Sequence, residues 1–300
     1  MALQTEVWAA DIAANLFKDN EFIRKSKNDD AFVEDKIVHL NNSGTTPTVV
    51  RGRTTYPATI TQRTDTETTY NLQEFTSNPT LITDVDAIEV NYEKRQNVLE
   101  EHIMTLKDAL ADYVPYAWCP TLGSNIVATT GQNRTVGAAT GATGTRKKFT
   151  KEDALEARRI MDRMNVPKTM RVLLLPSEFY NDLMTDSAVL TAFNMNQGNL
   201  PEGVVSRIWG FDIMVRSTVA AATVTSNAVK DPVAATAATD NAMAIAWHPS
   251  AVRFALGDIK VYANEDRAEY YGSIFSAMVR SGASKARADQ KGIVAIVEAP

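Results

Sequence analysis

The residues of this chain that most often carry enzyme or metal chemistry are few and far apart. Its three histidines, His39, His102 and His248, have no second ligand three or four residues away, whereas zinc sites draw on clustered histidine and cysteine. The sequence therefore predicts no metal site; it favours a solvated position on the long helix for His102 and a structural position at a strand end for His248.

Two candidate nucleophiles lack the neighbours that nucleophilic catalysis requires. Ser177 follows an apolar run without the flanking glycines of a nucleophile elbow, so we interpret it as a helix N-cap. The single cysteine, Cys119, stands between Trp118 and Pro120 with no histidine near it in sequence. This setting favours a buried, inert thiol.

A glycine-rich stretch at 137–144 has the composition of a phosphate-binding loop but not its order of residues. It lacks the Gly-Lys-Ser/Thr ending that places a lysine on the phosphates, and no buried strand precedes it. Adjacent carboxylates such as Glu100 with Glu101 and Asp29 with Asp30 point in different directions on a helix, and we interpret both pairs as parts of solvated faces. We therefore expect no catalytic residue, no cofactor site and no enzymatic activity.

The composition excludes several other classes of protein. The 300 residues are 44% hydrophobic and 22% charged, which is ordinary for a globular protein with a sizeable core. The formal charge is 31 − 36 = −5, so no basic surface for duplex DNA is indicated. One cysteine allows no intrachain disulfide, and no apolar run approaches the length of a membrane span.

The pattern of apolar residues predicts an α+β protein. An apolar stripe with alternating spacings of four and three residues runs from Tyr92 to Tyr113 and predicts a long helix that Pro115 and Pro120 end. A second helix is predicted from Thr150, with Asp153 completing a capping box. Further elements are predicted as follows: a short helix at 6–17, a helix at 176–184, a strand with a bend at its glycine at 208–215, and strands at 36–40, 171–175, 243–247, 259–262 and 293–297.

The segment from Asn41 to Tyr70 differs in composition from the rest of the chain. Eleven of its thirty residues are threonine and few are large and apolar. Val49–Val50 and 58–61 indicate two extended arms, yet an isolated two-stranded ribbon is marginally stable in water. The segment is therefore either a disordered loop or an arm that lies on a neighbouring subunit.

The order of these elements resembles the Hong Kong ninety-seven fold of tailed-bacteriophage major capsid proteins. Residues 84–95 resemble the beginning of that family's spine helix, 171–180 its axial-domain strand and helix, and 208–217 its Gly-Phe-x-Ile strand. The resemblance implies an N-terminal arm, an extended β-hairpin loop, a peripheral domain with the long spine helix, and an axial domain. These would map to residues 1–40, 41–75, 76–120 with 256–300, and 121–255, respectively.

The resemblance implies a subunit that assembles into hexamers and pentamers and forms an icosahedral shell around packaged double-stranded DNA. Its partners would be copies of itself, a portal, a separate scaffolding protein rather than a fused one, and in some phages a decoration protein. The chain would reside in the virion, and in the host cytoplasm during assembly. An encapsulin-type nanocompartment shell and a soluble α+β ligand-binding protein, such as a hydrolase or sugar-binding protein, remain as alternatives.

Some family members crosslink their subunits through a lysine in the extended loop. Between Lys36 and Lys94 this chain has no lysine, and its loop cations are all arginine. We therefore expect noncovalent contacts in which these arginines face carboxylates of neighbouring subunits. The candidate contact residues of the loop are Arg51, Arg53, Tyr56, Arg63, Asp65 and Glu67.

Overall fold

The structure is a computed structural model that describes residues 21–34, 36–42, 44, 48–58, 60, 62, 64–83, 93–185, 207–224 and 227–300. Its helices are α1 (Glu21–Arg24), α2 (Glu93–Trp118), α3 (Lys151–Arg163) and α4 (Ser177–Met184), with 3₁₀ turns at Asp30–Phe32, Gly123–Asn125 and Pro249–Ala251. No helix within these ranges is both long enough and apolar enough to cross a membrane.

A five-stranded sheet is built around one long hairpin. Strands β15 (Val252–Arg267) and β16 (Gly272–Lys285) form the antiparallel hairpin. The short strand β1 (Lys27–Asn28) adds to β15, and β5 (Gln73–Thr76) and β6 (Thr80–Thr83) add to β16. Helix α2 lies across this sheet and buries an apolar cluster that comprises Leu106, Val261, Ala277 and Val279.

A seven-stranded sheet forms the centre of the second half of the molecule. Its strand order is β11 (Arg207–Ile208), β12 (Phe211–Arg216), β10 (Arg171–Pro176), β14 (Asn241–Trp247), β17 (Ile293–Val297) and β7 (Ile126–Ala128), with β13 (Ala220–Ala222) also paired to β14. The strands β10, β14 and β17 are buried along their whole length. Such strands need cover on both faces, which α3 and α4 give on one side and α1 with the end of α2 on the other.

Two smaller sheets complete the described fold. A three-stranded sheet contains β2 (Val33–Glu34), β3 (Ile37–Asn42) and β4 (Thr66–Asn71), and a two-stranded ladder joins β8 (Asn133–Arg134) to β9 (Arg146–Lys147). The α+β architecture predicted from the sequence is therefore confirmed. The predicted helix at 6–17 lies outside the described residues.

Helix α2 continues through the proline that the sequence analysis expected to end it. Pro115 lies inside the helix, which extends to Trp118. A proline in a helix interior removes the N–H that would bond to the carbonyl four residues earlier, here that of Ala111. Arg216 donates to this carbonyl instead, with Nη1 3.0 Å from the oxygen, so the prediction was wrong because a distant side chain replaces the missing donor.

Three further local predictions are corrected by the structure. The predicted bend at Gly210 is confirmed, but it is a tight turn with positive φ at both Trp209 and Gly210, so the single strand predicted at 208–215 is two antiparallel strands. Ser177 is the first residue of α4 rather than its cap, and its Oγ donates to the carbonyl of Ser217. The arms predicted at Val49–Val50 and 58–61 show no strand in their described residues. The ladder forms instead at β3 and β4, where apolar side chains have a core to face.

The C-terminal segment 256–300, which the sequence analysis assigned as a whole to the peripheral domain, is divided between the two large sheets. Residues 256–285 lie in the five-stranded sheet, but Ile293–Val297 pairs with β14 and β7 in the seven-stranded sheet. The five residues of this strand are all apolar and buried, so they require a position covered on both faces. The arm predicted at 1–40 is also partly built into the core, because Phe22 and Ile23 are buried against Trp118 and its neighbours.

Candidate inter-subunit surface

The side chains first considered for chemistry occupy structural positions. His248 is buried at the end of β14, with Nδ1 2.7 Å from the Ser250 hydroxyl, and burial lowers its pKa. His102 is buried on α2, so its predicted solvated position was wrong, and desolvation lowers its pKa. Burial raises the pKa of the Cys119 thiol to about 12, so it is an unreactive thiol at neutral pH. In the described part of the chain, no three His, Cys, Asp or Glu side chains come together as a metal site.

One backbone N–H near the start of the glycine-rich stretch binds an internal carboxylate. The N–H of Ala138 donates to both carboxylate oxygens of Glu298, each at 3.0 Å. Glu298 directly follows β17 in the chain. Its side chain is fully buried and also pairs with Arg134 at 2.5 Å. Arg134 in turn pairs with Asp182 of α4 at 3.1 Å, so one cation joins the loop, the helix and the end of the sheet. No pattern in the sequence marks this network, since its members are 48 and 116 residues apart along the chain.

The Thr-rich segment is a ribbon that projects from a buried base. Strands β3 and β4 pair from Ile37 with Asn71 to Asn42 with Thr66. Beyond them, the Gly44 N–H donates to the Asp65 carboxylate at 2.8 Å, and a Cβ on Gly44 would clash with the Thr64 carbonyl. From here on, the name extended loop is kept for residues 44–65, the part of the predicted 41–75 segment that lies between β3 and β4 in the chain.

The inner face of the ribbon packs on the five-stranded sheet. Four apolar side chains of β3, β4 and the residue after β4 are buried together with Ala255 of β15: Val38, Leu40, Tyr70 and Leu72. Because Tyr70 is buried and lies beside Asp29, its pKa is raised, and it remains a neutral hydrogen-bond donor. The ribbon therefore starts from a fixed and desolvated base.

The extended loop exposes large apolar side chains that the described structure does not cover. Val49 is 95% exposed, Ile60 94% and Tyr56 76%, and more than half of Val50 is exposed as well. Scattered exposed apolar residues are normal, but four on a segment of this length form a surface suited to burial against another chain.

The contact residues predicted from the sequence fall into two groups. Arg51 and Tyr56 are exposed and Arg53 is half-buried, and neither arginine forms an ion pair among the described residues. Glu67 instead pairs with His39 across the ribbon, and Asp65 accepts the Gly44 N–H, so both carboxylates have partners within the chain. Arg63 lies outside the described residues.

The sequence analysis did not identify a second exposed surface at the turn of the long hairpin. Tyr271 is 78% exposed, and Tyr262 and Tyr270 are each about half exposed. Tyrosines combine a large apolar ring with a polar hydroxyl and are enriched at protein interfaces. In sequence they fall on a polar stretch without periodicity, so nothing there marked them as an exposed surface; Tyr270 and Tyr271 lie in the turn, and Tyr262 lies on β15 opposite Ser276.

The comparisons with known proteins agree with this geometry. The model of a family described as phage capsid protein matches residues 35–298. No curated protein sequence matches the chain. Among solved structures, one from Mycobacterium phage Che8 has 19% identity and a TM-score of 0.63, over 92% of this chain and 90% of that one.

Two other solved structures have the same fold at lower identity. The capsid structure of the cyanophage P-SCSP1u has 16% identity and a TM-score of 0.62, and it covers 91% of this chain and 86% of that one. The asymmetric unit of the bacteriophage PhiM1 mature capsid has 12% identity and a TM-score of 0.61, with 91% and 85% coverage. The family match confirms the predicted function as a major capsid protein and does not favour the encapsulin or ligand-binding alternatives. This chain belongs to the phage capsid protein family and has the tailed-phage capsid fold that its order of elements predicted.

Proposed function

We propose that copies of this capsid protein form hexamers and pentamers that close into an icosahedral shell around double-stranded DNA, and that the extended loop binds a neighbouring subunit. The observation that supports the loop's role is its exposure. Val49, Tyr56 and Ile60 leave apolar surface in water, while the base of the same ribbon is packed and buried. Covering such surface against a second subunit would contribute about 25 cal/mol per Å² of apolar area.

The charges of the loop are consistent with this role. Arg51 and Arg53 have no ion-pair partner among the described residues, while Asp65 and Glu67 are used within the chain. Two arginines of the loop are therefore available to pair with carboxylates of a neighbouring subunit. Asp65 and Glu67 already have partners within the chain. The whole chain has a formal charge of −5, so a carboxylate partner on another copy is readily supplied.

The proposal extends to other components of the particle. The shell would contain a portal and use a separate scaffolding protein during assembly in the host cytoplasm, with decoration proteins as an optional addition. The subunit would hold DNA by enclosure, without sequence-specific contacts, because its overall charge is acidic. It would have no catalytic activity.

The loop's role is tested by replacing residues 45–63 with an Asn-Gly turn. Gly44 and Thr64 already lie side by side, so this turn closes the ribbon while keeping the ladder between β3 and β4. We expect a folded subunit that no longer forms closed shells in electron micrographs when expressed with its scaffolding partner. A control variant with loop residues 45–63 kept in length but with Thr54 and Thr55 changed to serine should assemble normally. Normal particles from the shortened ribbon would refute the proposal.

A further inference from the structure

Three polar side chains meet at the base of the ribbon, on three separate segments of the chain. Asp29 is fully buried, so its predicted place on a solvated face was wrong, because it accepts a hydrogen bond from Arg253 Nη1 at 2.8 Å beneath the ribbon. The hydroxyl of Tyr70, on β4 of the ribbon, lies 3.3 Å from the other oxygen of the same carboxylate. Asp29 thus connects the N-terminal segment, the ribbon and the long hairpin at one point.

Backbone bonds fix Asp29 itself. Its N–H donates to the Phe254 carbonyl at 2.9 Å, and the next residue, Asp30, accepts the Leu256 N–H at 2.6 Å. The preceding strand β1 pairs in parallel with β15 at Arg253 and Phe254. The Asp29 carboxylate is therefore held rigidly to the hairpin. Of the three residues, Tyr70 is the one that belongs to the ribbon.

A glycine lets the ribbon approach the hairpin this closely. A Cβ on Gly282 would lie 3.0 Å from Leu72 Cδ2 and 3.0 Å from a ring carbon of Tyr70. Both are side chains of the ribbon's base, and such contacts are shorter than ordinary van der Waals distances. Gly282 does not have positive φ, so space rather than backbone conformation is what the glycine provides here.

We propose that Asp29, Arg253 and Tyr70, seated against Gly282, position the extended loop by holding the ribbon at a fixed angle to the five-stranded sheet. The inference rests on the proposed function, since that angle is the one that loop contacts with a neighbouring subunit require. A strand rises about 3.3 Å per residue, so Thr66 lies ~13 Å beyond Tyr70 and the extended loop lies farther still. A rotation of the ribbon about its base therefore displaces the loop by more than it displaces the residues at the base themselves.

The angle can be measured directly in the unassembled subunit. Spin labels are placed on Val49→Cys in the loop and Lys260→Cys on the hairpin, both exposed, while the native Cys119 is buried. Their distance distribution is compared among the parent, Gly282→Ala and Tyr70→Phe. Gly123→Ala is the matched control, because nothing lies within 4 Å of a Cβ added there.

We expect Gly282→Ala to shift the label distance and Tyr70→Phe to broaden its distribution, with fewer closed shells from both, while Gly123→Ala changes neither. An unchanged distance distribution in folded Gly282→Ala and Tyr70→Phe subunits would overturn the inference, whatever the shell yield. A shifted distance with normal shells would overturn the need for a fixed angle. The shortened ribbon tests the role of the loop itself separately, so the two failures are distinguishable.

Discussion

Arg216 donates from Nη1 to the carbonyl oxygen of Ala111 at 3.0 Å, and this carbonyl is the one that Pro115 leaves without a helical donor. The same guanidinium pairs with Asp112 at 2.6 Å through Nη2. A side chain at the end of β12 therefore completes helix α2, and the seven-stranded sheet and the long helix are joined at the residue where the helix is weakest.

This relationship predicts coupling between Arg216 and Pro115. Arg216→Met should lower the free energy of unfolding by about 1–3 kcal/mol, because the Ala111 carbonyl is buried and loses its donor. In a Pro115→Ala background the new N–H can bond to that carbonyl, so the same substitution should cost less. Chemical denaturation of the parent, the two single variants and the double variant measures the difference between the two costs in a double-mutant cycle.

The control for this cycle is Arg207→Met, which removes an exposed ion pair with Asp212 and should cost under ~1 kcal/mol in either background. If Arg216→Met lowers the free energy of unfolding equally with and without Pro115, the guanidinium does not substitute for the missing helical hydrogen bond.

The buried network around Arg134 should be a major stabilising contact of the region that follows α2. Arg134→Met would leave the fully buried Glu298 without its cation, and removing one partner of a buried pair typically costs about 3–5 kcal/mol. We expect a loss of that size in thermal or chemical unfolding. Arg287→Met, at an exposed pair with Asp289, should cost under ~1 kcal/mol, and a similarly small loss at Arg134 would contradict the assignment.

The buried histidine His248 should make stability depend on pH in the mildly acidic range. Desolvation, and secondarily the charge of Arg171, lower its pKa in the folded state, so the unfolded chain binds the proton more tightly. The contribution of neutral His248 to stability is therefore fully present above its unfolded-state pKa near 6.5. It is lost as the pH falls from that pKa towards the lower folded-state pKa. His248→Asn should flatten the stability profile between about pH 5 and pH 7.

The exposed His39→Asn serves as the comparison for the pH profile, because it changes a histidine without removing a buried one. A His248→Asn profile with the same slope as the parent would rule out this source of acid sensitivity.

The arginines of the extended loop should govern the salt dependence of assembly. Arg51→Gln with Arg53→Gln should leave the unfolding free energy of the subunit unchanged, because neither forms an ion pair among the described residues. Shell formation should become weaker at low ionic strength and less sensitive to added salt, since screened cation contacts have been removed. Light scattering across a salt series checks this, with the exposed Arg24→Gln as control. An unaltered salt dependence would exclude these arginines from the contact.

Completed shells should dissociate fully into single chains under denaturing conditions. Residues 37–93 contain no lysine, so the extended loop cannot supply the amine of an isopeptide bond. A denaturing gel of purified particles should show one capsid band near 32.9 kDa. A ladder of covalent multimers would be incompatible with noncovalent contacts at the loop.

Elements with a strong local pattern were predictable from the sequence. The capping box at Thr150 is confirmed, with its N–H 2.9 Å from Asp153 Oδ2, and the apolar run at 171–175 is the buried strand β10. The ladder of the ribbon was misplaced, because apolar residues such as Val49 and Ile60 have high strand propensity but are left exposed by the described part of the chain.

The sequence by itself determined the α+β class, the order of elements that identifies a capsid fold, and a lysine-free loop too poor in apolar residues to fold alone. These properties depend on composition and short-range periodicity, which are local. The tertiary structure alone decided that α2 passes through Pro115, that Ile293–Val297 returns to the seven-stranded sheet, and that Asp29 meets Tyr70 and Arg253 beneath the ribbon. Each of these depends on a partner scores of residues away, and the free energy of burying or pairing such groups is set by the assembled surroundings rather than by their neighbours in sequence.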